Sequence, residues 1–130
     1  MSLFICKWKK EFGPEVKAAI RKDICEGMGQ LAGIPAHFFA VCFEDYEAED
    51  FSDQGIGVFV LAYQTEGRED AFKDQLVALV TDAFCKHTGW PAARVSIMIH
   101  DIQKGSMGHK GVVVNRGGAV ANSILGKGSA

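Results

Sequence analysis

Apolar residues fall along this chain in two kinds of run, and the two kinds alternate. LFICKW at 3–8 is short, continuous and rich in strand formers, and Lys9, Lys10 and Glu11 close it, which predicts a strand. Pro14 then stands where a first helical turn tolerates proline. After it Val16, Ile20, Ile24, Met28 and Leu31 recur at three- and four-residue steps, predicting an amphipathic helix of about five turns. Gly33 supplies a helix stop, Pro35 bars continuation, and FFAVCF at 38–43 is a second apolar run of strand type. A strand, a crossover helix and a strand make a right-handed β-α-β unit with parallel strands.

The acidic, glycine-containing segment 44–57 is polar enough to be a connection, and beyond it the pattern starts again. VFVLAY at 58–63 reads as a strand. Phe72, Leu76, Leu79, Val80, Ala83 and Phe84 mark a helix face, Gly89 and Pro91 punctuate, and VSIMI at 95–99 reads as a strand. One gap-free offset of 56 residues sets Gly33, Pro35, Ala36 and Asp45 against Gly89, Pro91, Ala92 and Asp101, and Lys17 against Lys73. Such register within 130 residues points to a single domain, 1–130, made of two pseudo-repeats, 2–46 and 58–111, followed by a hairpin and tail from Val112. The fold class expected is α/β (α+β): duplicated β-α-β units giving a four-stranded mixed sheet with both helices on one face. The other sheet face stays apolar, and association of several copies is the simplest cover for it.

Composition narrows the function. Apolar residues at 48% and charged residues at 23% describe a globular protein, and a net charge of −2 gives no field to attract nucleic acid or anionic lipid. No apolar run reaches the roughly 18 residues of a membrane span, and the start lacks the layout of a secretory signal, so a cytoplasmic setting is expected. Cys6, Cys25, Cys42 and Cys85 are scattered among apolar neighbours and read as reduced, buried thiols. His37, His87, His100 and His109 lack the spacing of a metal site, so neither metal nor cofactor is expected.

The second unit carries a resemblance. EGREDAFKDQLVALVTDAF followed by TGWPAARVSIMIHDIQKGSMGHKG is similar to the 4-oxalocrotonate tautomerase subunit, in which an E-G-R turn opens the helix and a K-G-x-x-G hairpin follows the second strand. The likeness covers 58–111 well and 2–46 more loosely, so the chain resembles a fused member of the tautomerase superfamily. That resemblance implies a homotrimer and a small carboxylate substrate or ligand, with keto–enol tautomerisation or a related proton transfer on a small 2-oxo acid as the activity.

The family's chemistry uses an amino-terminal proline, and here the aligned residue is Ser2. With Met1 removed, Ser2 would offer a primary amine of reference pKa about 7.7–8.0, which burial or a nearby cation could lower toward neutrality. Arg68 aligns with the family's carboxylate-binding arginine; its planar fork suits two-point contact with a carboxylate and its charge stabilises a developing enolate. Phe12 occupies the matching place in the first unit, and the family's second arginine is absent, Ala40 and Ser96 standing there instead, which disfavours a dicarboxylate. Met107 aligns with the apolar hairpin residue that walls the family's pocket. Asp101 ends a strand where an accessory acid could stand, although Asp45 at the matching place points to a structural turn role.

Two rivals stay open. The order β-α-β-β-α-β also fits a ferredoxin-like regulatory module that binds a small ligand without chemistry. Alternatively, the absence of the proline leaves a catalytically inactive tautomerase-like paralogue or a ligand-binding trimer.

Overall fold

The computed structural model describes residues 2–52 and 54–114. Most of the tail segment read from the sequence lies outside them. The element order is β1 (Ser2–Lys9), α1 (Pro14–Ala32), β2 (Phe39–Tyr46), β3 (Val58–Thr65), α2 (Asp70–Thr88), β4 (Val95–Ile102), β5 (Met107–His109) and β6 (Val112–Val114). Single 3-10 turns precede β2 and β4. Each of the first four strands runs past its apolar burst into polar residues such as Asp45 and Asp101. Ladder hydrogen bonds hold the backbone extended there whatever the side chain.

Both helices begin and end as the sequence signals dictate. Pro14 takes the first helical position of α1, where its missing N–H is no loss. Gly33 and Gly89 close α1 and α2 in the left-handed region, at φ of 72° and 78°, and their N–H groups return to the carbonyls of Gly29 and Cys85. A side chain with a Cβ adopts that conformation at a cost, so glycine stops both helices at the same point of the pattern.

The sheet order is β2-β1-β3-β4. β1 runs parallel to β2 and β3 parallel to β4, and the two halves join through the antiparallel pair β1–β3. Each crossover helix therefore links neighbouring strands, which separates the fold from the split arrangement of a ferredoxin-like module. The architecture is the four-stranded mixed sheet with two helices on one face that the patterning predicts.

Side chains alternate across the sheet. Phe4, Cys6 and Trp8 from β1 and Val58, Val60 and Ala62 from β3 are buried beneath the helices, against Ile20, Ile24, Met28, Leu76, Val80 and Phe84. Trp8 anchors one end of this core, with Phe12, Phe43, Phe84 and Trp90 around it at centroid distances of 5.0–6.1 Å. The opposite face carries Leu3, Ile5, Phe59 and Leu61, all half-buried, and Met98, which is 57% exposed.

Candidate functional site

Register determines what meets at each end of the sheet. Ser2 opens β1 beside Phe39 of β2 and is half-buried. Leu3 lies opposite Tyr63 in the antiparallel pair, so the next step outward sets Ser2 opposite Gln64. β3 leaves the sheet at Thr65 and turns through Glu66 and Gly67 to Arg68, with Gly67 at φ 100°, before α2 begins at Asp70. That turn is tied down twice: Glu66 N–H donates to the Ile102 carbonyl at 2.9 Å, and Lys104 N–H donates to Glu66 Oε2 at 2.8 Å. Lys104 leads into the β5–β6 hairpin, where Met107 pairs with Val114. The start of β1 with Ser2 and the end of β3, from which the turn to Arg68 leaves, thus lie at one end of the sheet, although 66 residues separate Ser2 from Arg68 in sequence, and Met107 stands on the separate β5–β6 hairpin that follows β4.

Arg68 is exposed, and its guanidinium carbon lies 4.4 Å from the centre of the Phe72 ring, one turn along α2. Among the described residues no carboxylate lies within ion-pair distance of it. Stacking on a ring face holds the planar guanidinium without using its N–H groups, which remain available to a planar anion. Met107 is half-buried.

Asp101 is committed elsewhere. Lys73 of α2 donates to its Oδ2 at 2.7 Å and Gln64 Nε2 donates to its Oδ1 at 3.3 Å, and these bonds hold its carboxyl below the ordinary range. A carboxylate kept ionised is a poor proton donor, so the accessory-acid reading of Asp101 gives way to an anchoring one. Asp45 occupies the same place in the first half: Lys17 of α1 and Trp8 Nε1–H both donate to it, and its pKa is lowered by Lys17 above all. Rather than shaping turns, the two aspartates clamp the end of a strand to the first turns of the helix before it.

Sequence reasoning passed over a feature of the open face. The connection after β2 folds back so that Phe51 contacts Tyr46 and Phe59, enclosing a depression of about 750 Å³ with Lys7, Leu61 and Met98. Lys7 Nζ donates to Glu44 at 2.7 Å and to Tyr46 at 3.1 Å, which raises the lysine and lowers the glutamate from their usual values. The available signal was a lysine in the middle of an otherwise apolar strand. Among the described residues no group of three or more His, Cys, Asp or Glu is placed to hold a metal, and no helix is long and apolar enough to cross a membrane.

Comparison with known proteins bears on the family and the fold. A family model described as tautomerase enzyme matches residues 59–116. The 2-hydroxymuconate tautomerase of Comamonas testosteroni is 37% identical over 54 residues, which is 42% of this chain and 86% of that protein. Among solved structures, a fused 4-OT described as a wild-type asymmetric trimer superposes with a TM-score of 0.79 at 19% identity, covering 94% of this chain and 98% of that one. A protein crystallised after inactivation by 2-oxo-3-pentynoate gives a TM-score of 0.80 at 18% identity, with the same shares covered.

Proposed function

We propose that this chain, which belongs to the tautomerase superfamily, moves a proton between carbon and oxygen of a small 2-oxo acid, with Arg68 holding the substrate carboxylate. The observation that carries this reading is Arg68 itself: a guanidinium braced on Phe72, free of any described carboxylate, at the sheet end where β1 starts. There its charge stabilises the enolate that forms when a proton leaves the carbon next to the ketone. In the ketonisation direction the enol oxygen loses its proton and C3 gains one, and the group assigned to that transfer is the amine of Ser2, exposed by removal of Met1. Met107 forms the apolar wall.

The assembly belongs to the same reading. Leu3, Ile5, Phe59, Leu61 and Met98 on the open face are covered in a homotrimer, the state named for a structural relative.

The test is ketonisation of phenylenolpyruvate followed by absorbance, for the wild-type chain, Arg68→Ala and buffer. The wild type is expected to exceed buffer, and Arg68→Ala to lose about 10- to 100-fold in kcat/KM, the loss of one charge-assisted contact of about 1.5–3 kcal/mol. A wild-type rate equal to buffer would overturn the activity for this substrate and favour a ligand-binding trimer without catalysis.

A further inference from the structure

Arg94 Nε is buried without a hydrogen-bond partner, alone in this among the side-chain nitrogens and oxygens of the described residues. Arg94 ends the 3-10 turn Ala92–Arg94 that leads into β4, and it is held from two directions. Its carbonyl accepts from Gly57 N–H at 2.7 Å, and its guanidinium carbon lies 4.9 Å from the centre of the Trp90 ring. That ring is itself wedged in place. Trp8 and Phe12 meet it edge-on at 6.1 and 5.4 Å, and a Cβ on Gly57 would lie 2.6 Å from the indole. Among the described residues no carboxylate pairs with the guanidinium. A buried donor without an acceptor costs free energy, and a planar fork held on a ring is shaped for a carboxylate.

The outer strands of the sheet, β2 and β4, differ in charge where the two halves differ in sequence. At the 56-residue offset Arg94 falls against Phe38. β2 runs on into another 3-10 turn, Ala48–Asp50, where Glu47, Glu49 and Asp50 are exposed and no side chain among the described residues bonds to their carboxylates. Gln103, Gly105 and Ser106 stand at the matching places after β4. The β2 edge thus carries unpaired anions and the β4 edge an unpaired cation. A closed ring of three identical copies joins two different surfaces of the chain, and sheet edges are ready-made for such joining. With β4 of one copy beside β2 of the next and the apolar faces turned inward, the ring axis runs along the strands, and rotation about it keeps every residue at its own height. Val95 and Tyr46 stand at the same end of the sheet, so Arg94 comes level with the 47–50 turn of the neighbour.

We infer that Arg94 is the cation of an ion pair between copies, its stacked guanidinium receiving a carboxylate from the acidic 47–50 turn of a second copy of this chain. The inference rests on the homotrimer proposed for the open face and names a contact that closes it. Apolar burial attracts without direction, whereas a charge pair selects which edges meet and in what register. The pair lies at the sheet end opposite the start of β1, so it acts on assembly and makes no contact with the Ser2 end.

The experiment is sedimentation equilibrium of the full chain over a dilution series, in graded urea below the unfolding transition if dilution alone leaves the assembly intact. The wild type is expected to be a trimer that dissociates. Arg94→Met should raise the protein concentration at half-dissociation about tenfold or more, and the triple variant Glu47→Gln, Glu49→Gln, Asp50→Asn should do the same. The triple variant changes only exposed residues and serves if the methionine variant does not fold. Combining the two sets should weaken the trimer little beyond either alone, because both remove one pair. An unmoved midpoint in either folded variant, or fully additive effects, would overturn the inference. A wild type that stays at 14.1 kDa at every concentration sinks the trimer and this contact with it, whereas a trimer indifferent to Arg94 sinks the contact alone.

Discussion

Gly29 shows how much one missing Cβ can decide. It is buried in the last turns of α1, and its carbonyl accepts from both Gly33 and Ile34 as the helix stops. A Cβ there would lie 2.8 Å from the Ile34 carbonyl oxygen and 3.2 Å from the Ala36 nitrogen, both backbone atoms that cannot swing aside. Gly29→Ala should therefore destabilise: overpacking of about 1–3 kcal/mol exceeds the roughly 1 kcal/mol that alanine contributes in a helix. Urea denaturation with an unchanged slope and a lowered midpoint is the expected result. Cys6 makes a second case at this scale. It is fully buried, and burial first, then the Cys42 thiol, pushes its pKa up to about 12. Thiol reagents at pH 8 should leave Cys6 unmodified in the native protein and label it only under denaturing conditions.

The repeated element-level device is a lysine in the first turns of a helix bound to an aspartate at the end of the following strand. Lys17–Asp45 and Lys73–Asp101 each stitch a crossover helix to its own sheet half. Both aspartates have folded-state pKa values below the unfolded carboxyl value of about 3.9. The stabilisation is thus fully present above about pH 4 and is lost as pH falls through the lower folded values. Melting temperature should drop across that acid window in the wild type and drop less steeply in the double variant Lys17→Met, Lys73→Met, which starts from a lower value at neutral pH. Equal slopes for the two proteins would show that the clamps contribute nothing measurable. A third bridge, His87 to Asp23 at 2.6 Å, links α2 to α1 across the outer layer.

At the scale of the molecule the unfinished feature is the open sheet face. Leu61 sits near its centre on β3, with Ile5 directly opposite on β1 and Met98 directly opposite on β4. If three copies cover these faces, light scattering should give three times the 14.1 kDa of one chain, and Leu61→Glu should give a monomer, because a carboxylate on a dry interface is expensive to desolvate. A trimer that survives this substitution would mean that another surface makes the contact. Ketonisation by such a monomer would show whether the site at the Ser2 end needs its neighbours.

The sequence alone determined the elements and their layering, because these depend on local physics. The three- and four-residue steps from Val16 to Leu31 leave one apolar face, Gly33 and Gly89 stop the helices, and apolar bursts on either side of each helix make parallel neighbours. Arg68 and Met107 become candidates in another way, through the resemblance of the E-G-R turn and the K-G-x-x-G hairpin to motifs of the tautomerase family. The partnerships between distant residues were decided only by the tertiary structure. Nothing local sets Ser2 opposite Gln64, stacks Phe51 on Tyr46, or commits Asp101 to Lys73 rather than to chemistry. Those contacts depend on the register of β1 against β3 and on the path of each connection. Register is chosen by the packing of the whole core, which fixes the polar neighbours of a strand end only after the apolar residues have found theirs.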